Sequence, residues 1–162
     1  MDDLKKTDYR VTMKEVAPEQ AAGIRGQYPI SQVPEIMGKG FGLVMEALTA
    51  EGVRPAGGAL AIYHGWTKDT VDVEIALTVQ GVFFPQGGRS GVKASMVPGG
   101  KVAFTVHVGP YDQLEAAYGA IQDYAKTNGL TLSDTMWERY LTDPAVEPDL
   151  SKHVTEVYWP LA

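Results

Sequence analysis

The stretch "MWERYLTDP", residues 136–144, sets Glu138 directly after Trp137 and two positions before Tyr140. A carboxylate among aromatic rings can do two kinds of chemistry. Left ionised, it can pair with a bound cation: charges about 4 Å apart gain roughly 4 kcal/mol at an effective dielectric near 20, before desolvation is subtracted. Ring faces add about 0.5–2 kcal/mol each through cation–π contact. Raised in pKa by an apolar surround, the same acid can act as a general base on water, while a tyrosine hydroxyl or indole N–H donates to the developing oxyanion. The ordinary alternative is a solvated glutamate on the open face of an antiparallel sheet.

Glu74 and Glu156 are further candidate acids, each read equally well as a second pocket carboxylate or a solvated residue. Tyr63, Tyr111, Tyr140, Tyr158 and Trp66 are candidate ring surfaces, and each would serve as readily in a core or interface. Trp66 follows "YHG" at a strand end, where it could close a pocket mouth. His64, His107 and His153 form no ligand cluster and the chain has no cysteine, so neither metal nor cofactor is expected. No Gly-x-Ser-x-Gly elbow or serine–histidine–aspartate set stands out.

The elements that must position these residues occur twice. "VTMKEVAP" (11–18) returns loosely as "VKASMVPG" (92–99), "GQY" (26–28) as "GPY" (109–111), and "FGLVMEALTAEG" (41–52) as "YGAIQDYAKTNG" (118–129), an offset of 129 − 52 = 77. The same offset carries Tyr63 onto Tyr140, and "VEIALTV" (73–79) meets "TEVYWPL" (155–161) at 156 − 74 = 82. Each copy reads as two extended segments, a helix and two strands. Segments 9–16 and 20–26 precede a helix from about Pro34 to Ala50 and strands 59–64 and 71–79; segments 92–97 and 101–108 precede a second helix and strands 135–141 and 153–160. Asp112 with Glu115 resembles a capping box for that helix, and Asn128-Gly129 supplies its stop.

This grammar predicts one α+β domain over 1–162, with repeat one at about 9–79, a connector at 80–91 and repeat two at about 92–161. Tandem strand-helix-strand-strand units would make an antiparallel sheet with the helices on one side and a ligand pocket between the repeats. Val71, Val73, Ile75, Leu77 and Val79 alternate with Asp72, Glu74, Ala76 and Thr78, so the valine side should lie under the helices. Leu60 and Ile62 are expected to face a helix, with Ala61 and Tyr63 opposite; by the repeat, Glu138 and Tyr140 face away while Trp137 and Trp159 pack under the helices. The pocket would then be lined by Tyr63, Glu74, Glu138, Tyr140, Glu156 and Tyr158. The glycines of residues 80–101 read as a turn rather than a phosphate loop, because no Gly-Lys-Ser/Thr or helix start follows.

"HVGPYDQLEAAYGAIQDYAKTNGL", "WERYLTDP" and "VTEVYWPL" together resemble the GyrI-like small-molecule-binding family, the effector-binding domain of AraC- and MerR-type multidrug regulators, over essentially the whole chain. The resemblance implies a pocket in which an acid, at the position of Glu138, meets small hydrophobic or cationic aromatic ligands within a cage of aromatics. It implies alternatives as well. Some relatives hydrolyse cyclopropane-bearing genotoxins with a pocket glutamate, and others contact DNA gyrase or a regulator. The 162 residues leave no room for a helix-turn-helix beside this domain, so a stand-alone binding protein is expected.

Composition agrees with that class. Fourteen basic against twenty acidic residues give 14 − 20 = −6, the wrong sign for gripping a phosphate backbone directly. The N-terminus "MDDLKKTDYR" lacks the apolar core of a signal peptide, Lys5-Lys6 reads as a solvated tail, and no apolar run is long enough to span a bilayer. The expected location is the cytoplasm.

Overall fold

The computed structural model describes Lys5, residues 8–83 and residues 91–162; residues 84–90 of the expected connector, and Lys6 of the expected tail, lie outside these. The fold is α+β. In chain order it comprises β1 (Thr12–Val16), β2 (Glu19–Pro29), α1 (Val33–Ala50), β3 (Pro55–Trp66), β4 (Thr70–Val79), β5 (Lys93–Val97), β6 (Gly100–Val108), α2 (Leu114–Thr127), β7 (Met136–Tyr140) and β8 (Val154–Pro160). The chain divides into two compact units, Ala17–Gly99 and the residues up to Val16 together with Gly100–Ala162.

In the first unit the strands run in the antiparallel order β3-β4-β2-β5. Val44 and Leu48 of α1 pack with Ala22, Leu77, Val79, Phe83 and Val92. Gly40 brings α1 close to β4, since a Cβ there would lie 2.9 Å from Ile75 Cδ1. In the second unit the order is β1-β6-β8-β7, again antiparallel. Here α2 rests on β6 and β8, with Leu114, Ala117, Ile121 and Ala125 buried.

The compact units do not coincide with the sequence repeats. β1 pairs with β6, and β5 pairs with β2, so each unit takes an edge strand from the other half of the sequence. Both crossings lie at prolines: Pro18 follows Ala17 just after β1, and Pro98 follows Val97 at the end of β5, and the residue before a proline is biased away from helical backbone.

The expected side-chain directions are partly reversed. Val73, Ile75 and Leu77 share the α1 face as expected, but their partners Tyr63, Ala61 and Ala59 share it with them. Leu60 and Ile62 lie on the opposite face with Glu74, although both are fully buried. With both faces of β3 covered, hydrophobicity cannot tell which one meets the helix. In the second unit Glu138 faces α2 and bonds to its Tyr118; Trp137 lies on the other face, opposite Tyr158, and only Trp159 shares the helix side. The expected cap of α2 also differs. Asp112 lies inside a 3-10 turn, Tyr111–Gln113, and no side chain caps the helix, because the turn after Pro110 already has helical backbone at Asp112. The C-terminal stop holds, with Gly129 at φ +66.

Candidate ligand-binding site

Short β7 and its partner β8 build the site. Their register sets Glu138 opposite Val157, and Tyr140 opposite Thr155. Strand alternation therefore puts Glu138, Tyr140, Thr155 and Val157 on one face, while Trp137, Arg139, Glu156 and Tyr158 occupy the other. β6 continues the first face with His107, paired to Thr155. Across it lies α2, whose Tyr118 reaches down to the strands.

Glu138 is 1% exposed. Its Oε1 accepts from the Tyr140 hydroxyl at 2.6 Å, and its Oε2 accepts from the Tyr118 hydroxyl. Among the described residues no lysine, arginine or histidine pairs with it. Burial pushes its pKa up, and the two tyrosine hydroxyls, which favour the ionised form, pull against that shift. The result is a buried carboxylate held by hydroxyls without a counter-charge. A desolvated anion of this kind is costly unless it protonates or meets a cation.

Tyr140 in turn meets the Tyr111 ring edge-on, with centroids 5.7 Å apart. The Tyr111 hydroxyl donates to His153 Nδ1 at 2.9 Å; the other ring nitrogen, Nε2, donates to the Glu147 carbonyl at 2.7 Å, which fixes the tautomer. His107 is held the same way, taking the Tyr9 hydroxyl on Nδ1 and donating from Nε2 to the Pro110 carbonyl. Both histidines are fully buried. They act as braces that orient tyrosines.

Within the second unit the expected lining residues fall on two faces of the strands. Glu138, Tyr140 and Tyr111 come together. Glu156 and Tyr158, expected beside them, bond to each other at 2.9 Å on the opposite face of the strands, where Tyr158 stacks on Trp137. In the first unit Glu74 pairs with His64 at 3.0 Å on the face away from α1, with its carboxylate packed so closely over Gly23 that a Cβ there would overlap it. Tyr63 lies on the α1 face and Trp66 is 46% exposed at the end of β3. Of the three candidate acids, Glu138 is the most deeply buried.

Sequence reasoning missed Tyr118, His153 and Thr155 as members of the site. The internal repeat held the signal. At the offsets above, 118 − 77 = 41, 138 − 77 = 61 and 155 − 82 = 73, so Tyr118, Glu138 and Thr155 correspond to Phe41, Ala61 and Val73. The pairings agree with those offsets, since Ala61 opposes Ile75 and Tyr63 opposes Val73, as Glu138 opposes Val157 and Tyr140 opposes Thr155. One copy is polar at all three positions and the other is apolar at all three.

The sequence profile of the GyrI-like small molecule binding domain matches residues 9–162. The chain belongs to this GyrI-like family. Among solved structures, the EcmrR C-terminal domain is 21% identical at a TM-score of 0.82, with 95% of this chain and 98% of that one covered. EcmrR in a complex with DNA matches at 22% identity and a TM-score of 0.81, over 94% of this chain, which spans 57% of the EcmrR chain. A hydrolase from Listeria innocua matches at 16% identity and a TM-score of 0.67, covering 94% of this chain and 92% of that one. SAV2435 bound to tetraphenylphosphonium matches at 12% identity and a TM-score of 0.62, covering 94% of each chain. No curated protein sequence matches. At these identities the likeness is one of fold, and the GyrI-like assignment rests on the profile. Among the described residues no helix is long and apolar enough to cross a membrane, and no three metal-ligating side chains cluster.

Proposed function

We propose that this GyrI-like domain binds lipophilic, cationic aromatic compounds, with Glu138 as the anionic anchor and Tyr140 and Tyr111 as ring surfaces. The observation that carries the reading is the buried Glu138 carboxylate, bonded to Tyr118 and Tyr140 but paired with no cation among the described residues. A bound cation supplies the missing charge. Tetraphenylphosphonium on SAV2435, a lipophilic aromatic cation on a related fold, supports the ligand class. The likeness to EcmrR supports an effector-domain role.

The test is fluorescence titration of a cationic rhodamine and a neutral dye of similar shape against wild type and Glu138→Gln. The substitution should weaken the cationic dye at least tenfold and leave the neutral dye within about twofold. Equal losses for both dyes would remove the charge-pairing claim.

A second reading has its own support in the raised pKa of Glu138 and in the Listeria fold relative described as a hydrolase. In it the carboxylate takes a proton from water as the oxygen bonds to a ring carbon of an activated cyclopropane; one ring C–C bond breaks, its electron pair passes to the conjugated acceptor group, and that group takes up a proton. Chromatography of the electrophile after long incubation distinguishes the two, because binding alone returns it unchanged.

A further inference from the structure

Thr155 is fully buried and its Oγ1 is the buried side-chain polar atom that has no hydrogen-bond partner among the described residues. Other buried threonines in the same sheets are satisfied: Thr105 donates to the Arg10 carbonyl at 3.0 Å, and the Thr78 hydroxyl accepts from Gly58 N–H at 2.9 Å. A buried hydroxyl without a partner is costly, and a valine of the same shape would avoid that cost. The corresponding position in the other copy is in fact Val73. An orphaned hydroxyl in this place calls for a reason.

Its surroundings supply one. Thr155 lies directly opposite Tyr140 and on the same face as Glu138. On its other side is His107, whose two ring nitrogens are already engaged by Tyr9 and the Pro110 carbonyl. Tyr140 donates its proton to Glu138. None of these groups lies within hydrogen-bond reach of Thr155 Oγ1, and the hydroxyl accompanies the acid: the copy that has Tyr118 and Glu138 has Thr155, and the copy with Phe41 and Ala61 has Val73. Three polar positions change together.

We propose that Thr155 Oγ1 is the second polar contact of the Glu138 site, and that the site prefers cations carrying N–H donors, protonated amines or amidines, over fully substituted onium ions. The inference rests on the binding reading above and narrows its ligand class. Diagonal neighbours on one face of paired strands lie about 7–8 Å apart at Cα, and Glu138 has the longer of the two side chains. Two N–H···O bonds of about 2.9 Å that diverge at the tetrahedral angle of one ammonium nitrogen set their acceptors about 4.7 Å apart, and the two nitrogens of an amidinium can reach acceptors farther apart. A donor-bearing cation can therefore give one hydrogen to the carboxylate and one to the threonine. A quaternary ion meets the charge alone and leaves Thr155 orphaned.

The test is isothermal titration calorimetry at about pH 8, where an aralkyl ammonium is still charged, with 1-naphthylmethylammonium and its trimethylammonium analogue. Wild type, Thr155→Val, Thr155→Ser and Glu138→Gln are compared, after thermal melts establish that each is folded. Thr155→Val should weaken the primary ammonium roughly threefold to tenfold and leave the quaternary ion unchanged, as expected for one lost hydrogen bond. Thr155→Ser should keep the preference. Equal effects of Thr155→Val on both ligands, or none on either, would overturn the role of Thr155 and assign the hydroxyl to a buried water. Wild type that binds the quaternary ion as well as the primary would overturn the preference without any variant. If Glu138→Gln changes neither ligand, the anchor reading itself fails, and that outcome is separate from the Thr155 result.

Discussion

At the scale of single residues, Glu138 is defined by the difference between what holds it and what it lacks. Burial disfavours its charge, and two tyrosine hydroxyls restore part of what water would have supplied. Removing one donor shifts that balance in a known direction. Tyr118→Phe deletes a bond to the ionised form, so the Glu138 pKa rises further and cation binding sets in at higher pH, which a dye titration across pH will show. Hydrogen bonds to charged groups contribute roughly 1.5–3 kcal/mol, so the onset of binding should move measurably upward in pH. The same raised pKa sets the sign of stability. A carboxyl whose folded pKa exceeds its unfolded value favours folding below the unfolded value, and that contribution is lost as pH rises through the folded pKa. Wild type should therefore lose stability relative to Glu138→Gln as pH climbs through that window, in urea melts at matched pH.

At the scale of elements, much of the fold was legible and the facing of the strands was not. Both helices, their ends at Gly52 and Gly129, and the four strands that follow them are visible in hydrophobic spacing and turn residues. Gly129 has φ +66 with open space around its missing Cβ, so Gly129→Ala should cost about 1–2 kcal/mol through backbone conformation alone, read as a lower urea midpoint. Facing failed for a physical reason. Leu60 and Ile62 are as deeply buried as Ala61, and a strand covered on both sides carries no alternation that identifies the helix side. Glu138 misled for a related reason: a charged residue among apolar ones suggests an open face, yet here Tyr118 and Tyr140 satisfy it under a helix. The exchange of β1 and β5 was hidden as well, because Pro18 and Pro98 mark a break in the chain without saying which strand the next segment pairs with.

At the scale of the whole molecule, the two units share a pairing pattern but differ in polarity at three corresponding positions, Phe41, Ala61 and Val73 against Tyr118, Glu138 and Thr155. Only the second copy has a buried acid in the strand position that faces its helix. The reading therefore predicts one cation per chain, measured as calorimetric stoichiometry, despite the repeated architecture. The net charge of −6 adds long-range attraction for cations that salt should screen, whereas the desolvated contact at Glu138 should resist added salt. The most direct measurement is proton release on binding, by calorimetry of a permanently charged aromatic cation in two buffers of different ionisation enthalpy between about pH 4 and 8. If the ligand's charge meets Glu138, wild type releases up to one proton below the raised pKa and Glu138→Gln releases none. Binding without proton release at any pH in that range, or with the same release from Glu138→Gln, would contradict the assignment of Glu138 as the anchor.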